Sequence, residues 1–101
     1  MYTFVRRADA QKLEGQIFAV EIAQIVKKVS GYDVVLNTQA FGPGNRVYWV
    51  VRGIESLDEF QKKTALLLAD PDYLGKVNEA LAGEYFLPGS FEDMLLQSVD
   101  V

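Results

Sequence analysis

The sequence predicts an α+β domain of element order β-α-β-β-α-β, with one four-stranded antiparallel sheet and its helices on a single face. Three observations predict it. Apolar residues recur at helical spacing in two long segments. Short aromatic and β-branched runs precede, separate and follow those segments. A Gly/Pro-rich turn at 41–45 joins two of the runs into a hairpin.

The first run, Tyr2 to Arg7, reads as a strand. Asp9 then stands where a helix cap is expected. Leu13, Ile17 and Val20 form one apolar row, and Phe18, Ile22, Ile25 and Val29 a second. Together they predict a helix of about 20 residues that buries a wide stripe. Gly15 interrupts it, where a missing side chain lets another backbone come close, and Ser30-Gly31 ends it. Tyr32 to Gln39 and Arg46 to Arg52 form the hairpin. Ser56-Leu-Asp-Glu59 is a capping box, in which the Ser hydroxyl and the Glu carboxylate satisfy free amides at a helix start. That helix runs to about Ala69 and restarts at Asp70-Pro71, a cap followed by a residue suited to the first turn, before stopping at Gly83. Phe91 to Val99 is the final strand. Right-handed crossovers place the first and third strands at the centre of the sheet. This is the ferredoxin-like arrangement.

Composition narrows the chemistry. The 101 residues make a single domain spanning 1–101. With no Cys and no His, thiolate and imidazole chemistry are absent, including the Ser-His-Asp triad and His-ligated zinc or haem. No metal site and no cofactor are expected. Glu55, Asp58 and Glu59 are explained by helix capping, and Gly42-Pro-Gly44 lacks the Lys and the helix of a phosphate loop. The net charge of −4, with basic residues scattered as doublets such as Arg6-Arg7, argues against a nucleic-acid partner. No apolar run reaches membrane-spanning or signal-peptide length, so a cytoplasmic location is expected.

Alternation along the strands divides the sheet into two faces. Val47, Trp49 and Val51 belong with Tyr32, Val34, Leu36, Met94 and Leu96 on the helix-covered face. Val35, Asn37, Gln39, Tyr48, Val50, Leu95, Gln97 and Val99 fall on the other, where Phe4 and Arg6 are also placed. An uncovered face carrying that much apolar surface predicts a homodimer, with Val35, Tyr48, Val50, Leu95, Gln97 and Val99 as interface candidates.

The element order and the doubly apolar sheet resemble the dimeric α/β-barrel superfamily. The segment LLLADPDY (66–73) is similar to the second-helix break of NIPSNAP-like members, and LPGSFEDMLLQSV (87–99) to the way many members of the superfamily end. The superfamily includes antibiotic-biosynthesis-type monooxygenases that need no cofactor, haem-degrading enzymes, isomerase-like proteins and members without an assigned activity. The haem-degrading members rely on a His, which this chain lacks. Three functions stay open: a small-molecule-binding dimer, a cofactor-independent monooxygenase or isomerase acting on an aromatic or polycyclic compound, and a structural or protein-interaction module.

Ligand-binding candidates are Asn37, Tyr48, Trp49 and Tyr85. The aromatics are suited to stacking on a planar, apolar molecule and the amide to orienting a carbonyl. Trp49 has the competing role of filling the helix–sheet core. Tyr73, Tyr85 and Phe86 can close a pocket mouth, with Glu84 to Ser90 as the lid. Arg46 and Arg52 lie about 20 Å apart on one strand face, too far to grip one small anion, and each is expected at a sheet edge, pairing with an acid or with the partner chain. Asp93 is placed at a sheet edge.

Overall fold

The computed structural model describes residues 1–42 and 44–101; Pro43 of the predicted turn lies outside them. The order is β1 (Tyr2–Asp9), α1 (Leu13–Ser30), β2 (Asp33–Thr38), β3 (Arg46–Ile54), α2 (Leu57–Leu68), α3 (Pro71–Gly83) and β4 (Glu92–Gln97). All pairings are antiparallel, and the sheet order is β2-β3-β1-β4, with the first and third strands central as expected. The three helices pack on one face.

Helix boundaries follow local chemistry. Gly31 closes α1 in the left-handed conformation, its amide bonded to the Lys27 carbonyl. Ser56 Oγ accepts the Glu59 amide at 3.1 Å, and Asp70 Oδ1 accepts the Tyr73 amide at 2.9 Å. Asp9 does not cap α1. It is the last residue of β1 and pairs with Arg46, while Lys12 occupies the cap position without a side-chain bond.

The wide stripe predicted for α1 is only half buried. Phe18 and Ile22 enter the core, but Leu13, Ile17 and Val20 are 71%, 55% and 48% exposed. At about 100° per residue, Leu13 and Ile22 point in opposite directions, and a helix lying on one layer cannot bury both. Gly15 makes the predicted close approach: a Cβ there would stand 2.8 Å from the Tyr85 carbonyl oxygen and 3.2 Å from Ala10 Cβ.

The core has two clusters between sheet and helices. The larger joins Ala8, Phe18, Ala19, Ile22, Val47, Trp49 and Phe86; the smaller joins Tyr32, Val51 and Ile54, with Phe4 and Phe60 against it. Edge-on aromatic contacts bind the larger, with Phe86 5.6 Å from Phe18 and 5.9 Å from Trp49 between ring centres. At the far end, Gly53 at φ +79° lies beside a bulge that shifts the β1–β3 register between Tyr2 and Phe4.

Directly paired residues share a face, so the register fixes which side chains meet. On the helix side, Leu36–Trp49–Arg6–Asp93 and Val34–Val51–Phe4–Leu95 form rows across the sheet. On the open side the rows are Val35–Val50–Val5–Met94 and Asn37–Tyr48–Arg7–Glu92. Two sequence assignments are therefore corrected. In β4, Leu95 and Gln97 face the helix side while Met94 and Leu96 face the open side. In β1, Phe4 and Arg6 belong to the helix side. A one-residue shift exchanges every side chain between faces, and Met94-Leu95-Leu96 is apolar on both, so hydrophobic alternation cannot choose the phase.

Candidate functional site

The open sheet face is built from alternate residues of all four strands. Its centre is the apolar row Val35–Val50–Val5–Met94, widened by Tyr48 and by Leu96, which pairs with Thr3. Charges line its ends in pairs. Arg7 bonds Glu92 at 2.7 Å, Arg46 Nε stands 3.2 Å from Asp9, and Arg52 pairs with Asp33 across β2 and β3. The acids expected for Arg46 and Arg52 are thus Asp9 and Asp33. The Arg7 guanidinium is held more firmly protonated than usual, chiefly by its hydrogen bond to Glu92.

Of the interface candidates, Val35, Tyr48 and Val50 share this face. Leu95 and Gln97 do not, and Val99 follows β4 at 81% exposure. The ligand candidates are not brought together either. Asn37 and Tyr48 are cross-strand partners on the open face. Trp49 lies in the core on the opposite face, 7% exposed, its indole N–H donating to the Ala19 carbonyl at 3.0 Å, so it has no surface to offer a ligand. Tyr85 lies between α1 and α3, its hydroxyl 3.2 Å from Glu79 Oε1. Burial, followed by that carboxylate, raises its pKa.

Nor is the segment 84–90 free to act as a lid. Gln11 N–H donates to the Tyr85 carbonyl at 2.9 Å, Leu87 N–H to the Asp9 carbonyl at 2.8 Å, and Asp9 N–H to Ser90 Oγ at 3.0 Å. Phe86, bridged to Ala10, is core rather than pocket mouth. Two shallow clefts of about 200 and 90 Å³ lie along α1 and α3, lined largely by Glu21, Lys76, Glu79 and their neighbours. Both are below the ~300 Å³ at which ligand pockets usually begin.

A polar site that sequence reasoning missed lies on the helix side. Arg6 Nε and Nη2 bind Asp93 Oδ1 and Oδ2 at 2.7 and 2.9 Å, a two-pronged pair between β1 and the edge strand. The guanidinium sits 5.5 Å from the centre of the Phe4 ring, and the Tyr73 hydroxyl of α3 approaches it. The Arg6 hydrogen bond holds the Asp93 carboxyl below its ordinary range. One signal could have found this pair: the doublet Arg6-Arg7 matches Glu92-Asp93 in reverse order, as antiparallel neighbours would.

No protein-family profile matches the sequence, and no curated protein matches it. Solved structures do. A NIPSNAP family protein of unknown function from Agrobacterium tumefaciens aligns over 95% of this chain and 86% of its own, with a TM-score of 0.75 and 21% identity. An uncharacterized NIPSNAP domain protein from Burkholderia xenovorans aligns over 98% and 95%, with a TM-score of 0.74 and 17% identity. The fold is NIPSNAP-like. SnoaB, a cofactor-independent oxygenase from Streptomyces nogalater, shares this NIPSNAP-like fold over 99% of the chain and 94% of its own, with a TM-score of 0.68 and 18% identity. At these identities the likeness is one of fold, and function has to be argued from the residues. No helix among the described residues is long and apolar enough to cross a membrane.

Proposed function

We propose that the protein works as a homodimer joined through its open sheet faces, and that each copy binds a small apolar or aromatic molecule. One observation carries the dimer: the row Val35–Val50–Val5–Met94 runs across all four strands, and the helices lie on the opposite face. A continuous apolar band of this kind is a reason to associate, and a second copy is the simplest cover. The charges beside the band favour the same reading. Each Arg there already has an acid partner in its own chain, so covering the face leaves no lone charge out of water. Asn37 and Tyr48, on the same face, then belong to the interface rather than to a ligand pocket.

The small-molecule part draws on the Arg6–Asp93 site, which combines a charged pair with aromatic walls, and on the fold shared with an oxygenase. Neither Arg6 nor its partner is set up as a general base, because the carboxylate is already held by the guanidinium.

Native mass spectrometry of the purified chain tests both parts. A dimer at micromolar concentration, converted to monomer by Val50→Asp, is the expected result. A wild-type monomer at that concentration would overturn the dimer. An additional retained mass would identify the ligand directly.

A further inference from the structure

β4 is exposed along its whole length, and among the elements it packs only against β1. Among the described residues no helix packs against it. The strip of helix-side sheet beside the helices is therefore an open shelf, and its contents are unusual for that face of a sheet. Its floor is Phe4 and Arg6 from β1, with Asp93 and Leu95 opposite them on β4. Phe91 continues the same side, 50% exposed and packed edge-on against Phe86 at 5.4 Å. Its wall is Phe60 of α2, 5.4 Å from Phe4, and Tyr73 of α3 beside Arg6. A guanidinium on the helix side of a central strand is otherwise costly to place, because charges are seldom put where a core is expected.

Arg6 is not used up by its partner. A guanidinium offers five N–H donors, and Asp93 takes one at Nε and one at Nη2. Three donors remain, on a guanidinium that has the Phe4 ring 5.5 Å away and the Tyr73 hydroxyl beside it. Phe91 and Leu95 flank Asp93 on the same strand face, each about 7 Å away at two residues' spacing. One cation between apolar side chains matches a flat molecule with one anionic end.

We infer that this shelf binds an aromatic carboxylate, with the carboxylate on Arg6 and the ring against Phe4, Phe91 and Leu95. The site deepens the small-molecule reading given above and rests on it, but not on the dimer, since all its residues belong to one chain. Asp93 is the internal competitor: its carboxylate and the ligand's draw on different donors of the same guanidinium, and the two negative charges oppose each other.

The probe is 2-naphthoate, titrated into the full chain and followed by Trp49 fluorescence and by calorimetry. Trp49 is the direct cross-strand neighbour of Arg6 and the sole Trp of the sequence. Naphthoate is expected to bind, and the neutral 2-naphthalenemethanol to bind about tenfold more weakly or worse, the ratio of a charged hydrogen bond lost. Arg6→Met should abolish the preference for the acid. Asp93→Asn should tighten naphthoate binding roughly threefold or more, because it removes the competing negative charge while keeping the side chain's shape. Equal affinity for acid and alcohol, or naphthoate binding weakened by Asp93→Asn, would overturn the inference. If Arg6→Met does not fold, Arg6→Lys replaces it: loss of the planar fork with charge retained should weaken binding part-way, and unchanged affinity would count against the site. Absence of naphthoate binding overturns the shelf alone, and a different mass retained in the native spectrum would leave the broader small-molecule reading standing.

Discussion

Two glycines interrupt the helices, Gly15 in α1 and Gly75 in α3, and alanine is expected to act on them with opposite sign. At Gly75 an added methyl group would meet nothing within 4 Å, so only the backbone term remains. Alanine there should stabilise by up to ~1 kcal/mol and raise the melting temperature by roughly 4–8 °C, the scale for a domain of this size. At Gly15 the same methyl would stand 2.8 Å from the Tyr85 carbonyl oxygen, a rigid backbone atom. That oxygen already accepts the Gln11 amide at 2.9 Å, so pushing it aside loosens the tie between β1 and the segment before β4. Overpacking of this kind costs about 1–3 kcal/mol, more than helix propensity returns in a first turn. Gly15→Ala should therefore destabilise by about 1–2 kcal/mol and lower the melting temperature by roughly 5–10 °C. Parallel far-UV circular dichroism melts at neutral pH would show it. A Gly15→Ala protein that melts at or above the wild type would refute the argument that this glycine is required by space.

Other perturbations test the remaining assignments. Val50→Asp puts a charge at the centre of the apolar row and should yield a folded monomer by sedimentation velocity; an unchanged dimer would mean that the open face is not the interface. Trp49→Phe should cost about 2–3 kcal/mol, from one buried hydrogen bond and lost ring area, while leaving naphthoate affinity by calorimetry unchanged. A selective loss of binding would restore Trp49 as a ligand contact. Tyr32 is buried, and among the described residues its hydroxyl has no hydrogen-bond partner. Burial first, and then the nearby Glu59, push its pKa up to about 12. An acid whose pKa is raised by folding contributes stability that is complete below its unfolded value near ~10 and disappears as pH climbs toward the folded value. The wild type should thus lose stability across that alkaline window, and Tyr32→Phe should show a flatter melting-temperature profile there while matching or exceeding wild-type stability at neutral pH. Identical profiles would refute the role given to Tyr32.

Much of the fold was legible because its signals were local. Val47, Trp49 and Val51 alternate with Arg46, Tyr48 and Val50, so the sequence alone places the β3 side chains on the faces that the register shows. Ser56 and Asp70 marked two helix starts by capping chemistry alone. The misreadings share one physical cause, which is that no partner was in view. Met94-Leu95-Leu96 is apolar on either side, and β1 mixes aromatic, aliphatic and cationic residues, so neither strand declares its phase without its neighbour. Leu13, Ile17 and Val20 have helical periodicity, yet periodicity alone does not say which of two rows a single sheet will cover. The Arg6–Asp93 site inherits both problems, since it joins residues 87 positions apart and exists only in one relative phase of the two strands. Among the ligand candidates, Asn37 and Tyr48 share the face that strand alternation gives them, whereas Trp49 fills the core and Tyr85 lies between α1 and α3.

The order β2-β3-β1-β4 also governs how the molecule can be made. β1 is made before the other three strands yet ends in the middle of the sheet, and both of its neighbours come from later in the chain. A nascent chain that has emerged only through Thr38 holds β1, α1 and β2, and its two strands are not partners in the finished sheet. No smaller folding unit exists in that half. β1 must wait for β3 on one side and, nearly a whole chain length later, for β4 on the other. Such long-range closure slows folding and leaves β1 unpaired during synthesis. Slow refolding after dilution from denaturant is therefore the outcome expected from topology alone, whatever the strength of the core.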